Sequence, residues 1–452
     1  MKRYQKSMLQ GPLFPNIVTY SIPIILTSIL QLLFNAADLV IVGRFCGSVS
    51  VAAVGATGAI TSLIVNLFIG LSVGAGVSTA HAIGGKNEVE THRTIHTALP
   101  TALVGGAVLS IVGIAFSDTL LRWMGTPENV LPLSTVYMRI FFGGMVFNMV
   151  YNFSAAILRA AGDTKSPLIF LTTAGIVNVV LNVFFVTVFH MNVAGVALAT
   201  TISQGISAVL AVMALMRRTD ACKLEIKKLR FYKRQFKKIV SLGLPAGVQS
   251  SMFSISNVVI QSSINSFGDV FMSGNASASN LEGFVMVAMD AFNQAALNFT
   301  GQNVGAGQYK RVRKILLTCL ACTAVVGLVG GLTVFAFGRQ LLGIYITDSP
   351  QAIEYGMLHL SYVCAPYFIL GMTNVMGGTL RGLGVSVPPM IISILGICGV
   401  RIAWIYTIFQ QPQYHTPECL FFSYPLSWVI TLVSQFVLFA VVYSKRMKTH
   451  KE

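Results

Sequence analysis

The feature that most constrains this chain is an apolar run from Ile17 to Val42 whose only charged side chain is Asp38. A run this long and this poor in charge predicts a helix that crosses a bilayer, and it is too long for a strand of a soluble core. A carboxylate within hydrocarbon is costly unless it faces a cavity or a partner. Asp38 is therefore a candidate functional residue.

Helical spacing places other polar side chains on the same face as this acid. Thr27, Gln31, Asn35 and Asp38 recur at intervals of four, four and three residues, which matches the repeat of a helix. Such a stripe lines a substrate path in some proteins and only hydrogen-bonds to neighbouring helices in others. Both interpretations stay open for the Thr, Gln and Asn, whereas we favour a function for Asp38.

Long apolar runs recur along the whole chain. Hydrophobic residues make up 54% of the sequence and charged residues only 10%, against roughly 25% charged in a soluble domain. The composition predicts an all-α polytopic membrane protein with twelve transmembrane helices. The predicted spans are 14–42, 50–82, 94–116, 131–158, 166–189, 194–216, 239–267, 276–303, 315–337, 352–380, 387–409 and 417–443.

The distribution of Lys and Arg predicts the topology. A net charge of +16 would suggest a nucleic-acid partner for a soluble domain, but here the basic residues fall in short loops, so none is expected. They concentrate in the even-numbered connections and the tail: Lys86, Arg93, Arg159, Lys165, Arg217 to Lys238, Lys310, Arg311, Arg313, Lys314, Arg381, Lys445, Arg446, Lys448 and Lys451. We expect a multi-pass protein of a bacterial cytoplasmic (inner) membrane with both termini in the cytoplasm.

The chain contains an internal repeat at a constant offset, which places Asn35 over Asn257 and Gly85 over Gly307. The register persists to the fourth span, where Leu158-Arg159 lies over Leu380-Arg381. We predict an N-terminal six-helix lobe (1–217), a basic cytoplasmic linker (218–238) and a C-terminal six-helix lobe (239–452). In transporters with parallel repeats, the substrate path lies between the halves, and alternating access comes from the rocking of one half. The linker could also bind anionic lipid headgroups.

Polar residues that occur in only one copy of the repeat are not required by the packing that both copies share. Asp38, Asn178, Asn182 and Thr200 stand where the second copy has Ile260, Val400, Trp404 and Phe422. One carboxylate with amide and hydroxyl oxygens suits a proton or a hard cation such as Na⁺. We predict that these four residues couple a proton or cation to transport, and that Asp38 and Asn178 bind a metal ion only if the ion is Na⁺.

The second copy has a different polar set on its second span. Glu282, Met286, Asp290 and Asn293 follow helical spacing and stand where the first copy has Ile60, Ile64, Phe68 and Leu71. We predict that these four, together with Gln31 and Asn35, line a substrate cavity and give an amphiphilic cation a negatively charged wall. The alternative is that the two acids form structural pairs with Arg401 or Arg139, the basic residues deep in predicted spans.

Sequence signals for other classes of protein are missing. Gly84-Gly85-Lys86 is followed by Asn87, so the chain lacks the Gly-rich phosphate loop that ends in Lys-Ser or Lys-Thr. We expect no ATP hydrolysis, no enzymatic activity and no cofactor. The seven cysteines are scattered, and only Cys319 and Cys322 are close in sequence, which predicts free or buried thiols rather than disulfides or a metal site.

Several motifs together resemble the multidrug and toxic compound extrusion (MATE) family of secondary transporters. They are Asn35-Ala-Ala-Asp38-Leu-Val-Ile-Val-Gly43, Gly70-Leu-Ser-Val-Gly74-Ala, Leu158-Arg159-Ala-Ala-Gly162-Asp163-Thr164, Gln302-Asn-Val-Gly305-Ala-Gly307 and Leu380-Arg381-Gly382. The resemblance implies two six-helix lobes in a V, which export organic cations in exchange for Na⁺ or H⁺. It also implies an ion site in the first lobe at Asp38, Asn178, Asn182 and Thr200.

The chain departs from the family pattern at two places. Asn182 stands where the pattern often has a second carboxylate, which weakens the expectation of tight Na⁺ binding. Acids that other members place on spans seven and ten are missing from Gly243–Asn265 and Cys364–Arg381. A coupling site in the second lobe would therefore need Glu282 or Asp290.

We expect a multidrug exporter, driven by H⁺ or Na⁺ antiport, that acts as a monomer in contact with membrane lipid. Its partners would be a small organic cation and the coupling ion. The alternative is a flippase for lipid-linked saccharides with a related two-lobed fold. A basic cavity that holds pyrophosphate would be expected of a flippase, whereas here the acids deep in predicted spans outnumber the two arginines.

Overall fold

The computed structural model describes residues 8–346 and 349–449, and within these ranges every regular element is helical. The predicted all-α class is confirmed. Lys451, which contributes to the predicted cytoplasmic charge, and the basic residues before position 8 lie outside the described residues.

The helices of the first copy follow the predicted spans closely. They are α1 (Leu13–Cys46), α2 (Ser48–Gly84), α3 (Glu88–Trp123), α4 (Leu131–Gly143), α5 (Met145–Ala160), α6 (Lys165–Thr187) and α7 (Asn192–Met216). The predicted fourth span is divided into α4 and α5, which are bent by 46° relative to each other.

The helices of the second copy show the same plan. They are α8 (Lys233–Asn265), α9 (Asp269–Gly305), α10 (Tyr309–Ala336), α11 (Gly338–Tyr345), α12 (Pro350–Val363), α13 (Tyr367–Gly382), α14 (Val387–Ser393), α15 (Val400–Tyr406) and α16 (Pro417–Thr449). Helices α12 and α13 are also bent by 46°. A π-helical segment, Ile394–Gly399, joins α14 to α15, so that these form one span.

The described part of the chain has nine helices that are long and apolar enough to cross a membrane, or eleven candidates if each bent pair counts as one span. Helix α9 is long but is not among them. Its acids and amides lower its hydropathy, and these are the residues for which we predicted a function. With α9, the helices correspond to the twelve predicted spans.

Contacts divide the chain into two compact units. The described residues of the N-terminal unit are Leu26–Gly247, and those of the C-terminal unit are Met8–Ile25 and the chain from Val248 onward. Helices α1 and α8 are each divided between the units, at Ile25 and at Gly247. These two positions correspond to each other in the internal repeat, so both copies are divided at the same place.

Glycines allow the closest backbone contacts within the N-terminal unit. A Cβ atom added to Gly70 would lie 2.2 Å from the backbone nitrogen of Gly247, and one added to Gly74 would lie 2.1 Å from the carbonyl oxygen of Ile239. Real Cβ atoms do not approach so closely, so any side chain at these positions of α2 would push α8 away. These glycines serve helix packing, as small residues do at membrane helix interfaces.

The segment that precedes α8 is anchored to α3. The backbone N–H groups of Glu225 and Arg230 donate to His96 Nε2 at 3.0 Å and to the His96 carbonyl at 3.2 Å. The N–H of Tyr232 donates to Thr97 Oγ1 at 3.2 Å. Arg230 and its lysine neighbours keep exposed side chains. These charges of the predicted linker are therefore solvated, while its backbone is fixed to the N-terminal unit.

The core of the C-terminal unit is rich in aromatic side chains. Phe271, Phe421 and Trp428 are almost fully buried, and the Phe271 ring stacks on that of Phe421 with centroids 5.7 Å apart. All seven cysteines are free thiols, as the sequence predicted. This aromatic core surrounds the polar groups of the C-terminal unit described below.

Candidate functional site

Three helices of the N-terminal unit bring the predicted coupling residues together. Asp38 lies on α1, Asn178 and Asn182 on α6, and Thr200 on α7. Asn182 Nδ2 donates to Asp38 Oδ1 at 2.5 Å, and to Asn178 Oδ1 at 3.2 Å. Asn178 Nδ2 donates to Thr200 Oγ1 at 3.3 Å. The four side chains form one hydrogen-bonded chain, which we call the Asp38 network.

The packing of α6 on α7 holds this network in place. Asn178 and Asn182 are one turn apart on the buried face of α6 and are 5% and 0% exposed. The Thr200 hydroxyl donates to the carbonyl of Val196 at 3.0 Å and also lies within hydrogen-bonding reach of Asp38. Buried amides without partners would be costly, so each such contact fixes the position of the next side chain.

The Asp38 network can accommodate two protonation states. In the structure the Asn182 amide donates to the carboxylate, and its own Oδ1 is buried without a hydrogen-bond partner. This orientation of the amide is assigned from the hydrogen bonds. A protonated Asp38 has an O–H to donate, and a flipped Asn182 amide, with its oxygen and nitrogen exchanged, would offer Oδ1 as its acceptor. Asn182 can therefore hydrogen-bond to either form of the acid.

Tyr137 on α4 is a neighbour of Asp38 that our reading of the sequence missed. It packs on the apolar cluster that contains Ile41 and Val42 of α1, and it is close enough to Asp38 to interact with its charge. Its position corresponds to His359 in the second copy. The signal that could have found it is that both copies carry a polar ring at this position.

Two residues of the predicted polar stripe do not join the network. Gln31 and Asn35 on α1 are exposed, and neither has a hydrogen-bond partner among the described residues. Asp38 is thus hydrogen-bonded to α6, whereas the exposed amides of Gln31 and Asn35 are available to bind another molecule. Their assignment to a substrate cavity stays a prediction.

In the C-terminal unit, Glu282 has a different partner from the expected ones. His359 Nε2 lies 3.2 Å from Glu282 Oε2, and His359 Nδ1 lies 2.7 Å from Asn275 Oδ1. The alternative of a structural pair between Glu282 and Arg401 or Arg139 is therefore not what the structure shows. Arg139 is exposed in the N-terminal unit, and Arg401 donates instead to Ser427 Oγ at 3.0 Å.

Asp290 also has neighbours that we did not expect. Asn293 Nδ2 donates to Asp290 Oδ1 at 2.8 Å, and the basic residue whose charge acts on Asp290 is Arg381. We expected Arg381 in a connection, but it lies in the last turn of α13 and donates to Gln249 Oε1 at 2.8 Å. A helix that extends to Gly382 places this cation beside Asp290 of α9.

The polar face of α9 borders two neighbouring cavities, which share Phe253, Asn374 and Ile397 in their lining. Met286 lines a cavity of about 120 Å³, together with Arg401 and Trp428. Asn293 lines a smaller cavity of about 20 Å³ beside Arg381. Both lie within the C-terminal unit. Drug-sized ligands need pockets of several hundred Å³, so either cavity has room for only part of such a molecule.

The fit of a metal ion to the Asp38 network depends on the orientation of the Asn182 amide. Within residues 8–346 and 349–449, no three His, Cys, Asp or Glu side chains come together as metal ligands. Asp38 supplies the carboxylate, and the Asn182 group that faces it is an N–H donor. Na⁺ would need that amide to turn and present its oxygen, because hard cations bind oxygen ligands.

Comparison with known proteins matches both copies of the repeat to one family. The MatE family model matches residues 23–184 and 245–407. The chain is 28% identical over 402 residues to the probable multidrug resistance protein YpnP of Bacillus subtilis, with 89% of each chain covered. It is 26% identical over 383 residues to a FAD transporter of Shewanella oneidensis, with 83% of each covered.

A solved structure shows the same fold over almost the whole chain. It is described as the outward-facing conformation of a multidrug resistance MATE family transporter of the MOP superfamily, and it matches with a TM-score of 0.90 at 20% identity. The match covers 98% of each chain. The two-lobed transporter fold predicted from the repeat is confirmed.

Proposed function

Because the chain belongs to the MatE family of membrane transporters, we propose that it exports small organic cations in exchange for protons and that Asp38 binds the coupling proton. The name of the Bacillus subtilis relative, a probable multidrug resistance protein, supports a substrate class of varied organic molecules. Transport through a duplicated fold of this kind uses alternating access between the two lobes.

The observation that carries the proposal is the hydrogen bond between Asp38 and Asn182, beside an amide oxygen that has no partner. Among the described residues, the hydrogen-bond partners of Asp38 are neutral amide and hydroxyl groups, so a proton that binds to Asp38 changes the net charge of the site. In a low dielectric medium, that change of one charge is a large difference in free energy. It is enough to favour one arrangement of the lobes over another.

We further propose the direction and setting of transport. Both termini would lie in the cytoplasm, and the protein would act as a monomer in the inner membrane, in lobes near 1–217 and 239–452 joined by a basic linker. Protons would reach Asp38 from outside, and their binding would favour the arrangement that releases the substrate there. The basic residues of the even-numbered connections support this orientation.

The test is transport of ethidium, a fluorescent organic cation, by purified protein in liposomes. A pH gradient and a Na⁺ gradient are imposed separately on the wild type and on Asp38→Asn. The pH gradient should drive transport by the wild type, and Asp38→Asn should lose at least about 90% of it because an amide does not exchange a proton at this pH. The matched control is Asp269→Asn, since Asp269 is an exposed acid at the start of α9.

Three results would overturn the proposal. Transport driven by Na⁺ alone would assign the Asp38 network to that ion. Full transport by Asp38→Asn would remove Asp38 from the coupling. The third result is that neither gradient moves ethidium. The same liposomes would then be tested with FAD and with lipid-linked saccharides, and movement of the lipid-linked saccharides would favour a flippase.

A further inference from the structure

We propose that Glu282 and His359 form a second proton-binding site, in the C-terminal unit, at which a proton and a cationic substrate compete. The competition rests on the proposed function, whereas the binding of the proton does not. The structure assigns this role through the contacts of one buried histidine. His359 is 2% exposed and bridges Asn275 and Glu282.

The hydrogen bonds of His359 fix the number of protons that the pair holds. With the Asn275 amide oriented as in the structure, its Oδ1 is an acceptor, so His359 Nδ1 must carry a proton and donate it over 2.7 Å. The other ring nitrogen, Nε2, lies 3.2 Å from Glu282 Oε2. Without a further proton, two lone pairs would face each other across this distance.

One proton turns that contact into a hydrogen bond. It resides either on Nε2, which gives an imidazolium beside a carboxylate, or on the carboxyl group, which gives two neutral partners. Both forms contain the same number of protons and have no net charge. Loss of the proton leaves a net charge of −1 on the pair and removes the hydrogen bond between α9 and α12.

The surroundings of the pair contain few other charged groups. Helix α9 itself contributes Asn275, and the end of α12 and the start of α13 contribute the buried Cys364 and Tyr367. The charged neighbour is Arg401 of α15, whose guanidinium lies 4.1 Å from the ring centroid of Tyr424 on α16. Arg401 is 5% exposed and has no carboxylate partner within salt-bridge distance among the described residues.

The pair lies one helical turn from a cavity. Met286, four residues after Glu282 on α9, lines the cavity of about 120 Å³ that also contacts Arg401, and side chains four residues apart share a face of a helix. A deprotonated pair would add a negative charge that balances the charge of Arg401 beside this cavity, so that a cation is admitted. A protonated pair has no net charge and would leave the charge of Arg401 to repel a cation. Proton and cationic substrate would thus exclude each other at this site.

Ring-¹⁵N-labelled histidine provides a direct test of proton binding in purified protein, whether or not the protein transports any compound. His359→Gln identifies the His359 signals among the seven histidines. Spectra are recorded between about pH 5 and 9, the range in which imidazoles generally titrate. The wild type should show Nδ1 protonated, and rising pH should remove one proton from the pair. In Glu282→Gln this midpoint should fall by at least about one pH unit, because a buried imidazolium loses its carboxylate partner.

Matched controls are Glu418→Gln and His415→Gln, which change exposed residues of the same types. They should leave the His359 midpoint unchanged. A neutral His359 with its proton on Nε2 throughout this pH range, or an identical midpoint in Glu282→Gln, would overturn the proposal.

Competition is tested by the binding of ethidium to detergent-solubilised Asp38→Asn, in which the first site is removed. The affinity for ethidium should rise by about fivefold or more between about pH 6 and pH 8. The upper limit for the loss of one coupled proton is about tenfold per pH unit. The double variant Asp38→Asn/Glu282→Gln should show no such rise. An equal rise in the double variant would overturn the competition. Failure of the wild type to transport ethidium would count against the proposed function, and the histidine titration would still decide the proton site.

Discussion

The acids of the two units have different kinds of partner. Asp38 in the N-terminal unit is hydrogen-bonded to a neutral amide, whereas Glu282 in the C-terminal unit contacts His359 and Asp290 lies near the charge of Arg381. A proton that binds to Asp38 removes a charge whose hydrogen-bond partners, among the described residues, are neutral amide and hydroxyl groups. A proton that binds to the Glu282–His359 pair is shared between an acid and a base.

This difference indicates that duplication preserved the scaffold while the polar residues diverged. Gly162 and Gly384, which correspond to each other in the repeat, both adopt a left-handed φ, of 86° and 85°, after α5 and α13. Glycine is favoured there because other residues are strained in that conformation. In contrast, Asp38 and Glu282 each correspond to an isoleucine in the other copy. Each unit would therefore contribute to coupling in its own way.

The largest effect is expected when an acid is placed in the C-terminal unit at the position that matches Asp38. Ile260 is 2% exposed in an apolar cluster, and it has Val400, Trp404 and Phe422 where Asp38 has amides and a hydroxyl. Ile260→Asp should lower the free energy of unfolding by about 3–5 kcal/mol, because a buried carboxylate lacks partners. Thermal melting in detergent measures the effect.

The control for this prediction is Ile260→Val, which should cost only about 0.5–1.5 kcal/mol. Equal melting temperatures for Ile260→Asp and the wild type would contradict the view that the two copies differ in their capacity to hold an acid.

A second carboxylate in the Asp38 network should turn this network into a cation site and increase its difference from the C-terminal unit. Asn182→Asp replaces an N–H donor with an oxygen ligand beside Asp38. Two carboxylates attract Na⁺ more strongly than one, so Na⁺ should stimulate transport by about tenfold or more in the variant. The measurement is ethidium transport under a Na⁺ gradient. No change in ion preference would show that Asn182 does not face the coupling ion.

Removal of the Thr200 hydroxyl should have a moderate effect on the same network. Thr200→Val takes away the acceptor of the Asn178 amide at 3.3 Å, which costs about 1 kcal/mol or about fivefold in transport rate. Because this hydrogen bond is already lost in the variant, Asn178→Ala should cost less there than in the wild type, so that the losses from Thr200→Val and Asn178→Ala are not additive. Strictly additive losses would indicate that the two residues act separately.

The smallest effect is expected for the exposed amides of α1. Gln31→Leu and Asn35→Leu break no hydrogen bond to a described residue and should change the melting temperature little, since exposed substitutions alter stability by less than about 0.5 kcal/mol. A raised KM with an unchanged melting temperature would assign them to the substrate path. Loss of folding in either variant would contradict their exposure.

Most of the fold followed from the sequence because hydropathy and length determine which segments span a membrane. The bends between α4 and α5 and between α12 and α13 were not predicted, and neither was the π-helical segment from Ile394 to Gly399. These features depend on how neighbouring helices pack. The pattern of apolar and polar residues within one helix contains little information about that packing.

The candidate sites were predictable where the residues stand out against the repeat. Asp38, Asn178, Asn182 and Thr200 were singled out because their counterparts are apolar, and the structure places them in contact. Tyr137 and His359 were missed because both copies carry a polar ring at that position, so a search for differences does not detect them. Arg381 was missed as a partner of Asp290 because the predicted span ended one residue before it.

The central claim is that the substrate is exchanged for a proton bound at Asp38. The most direct measurement adds ethidium outside liposomes that contain the protein and a pH-sensitive dye, with no imposed gradient. Ethidium is permanently charged and carries no proton of its own. Its entry through the wild type should drive protons out and raise the internal pH, and Asp38→Asn should show no such rise. Proton movement of equal size in Asp38→Asn, or ethidium entry through the wild type without proton movement, would contradict the account.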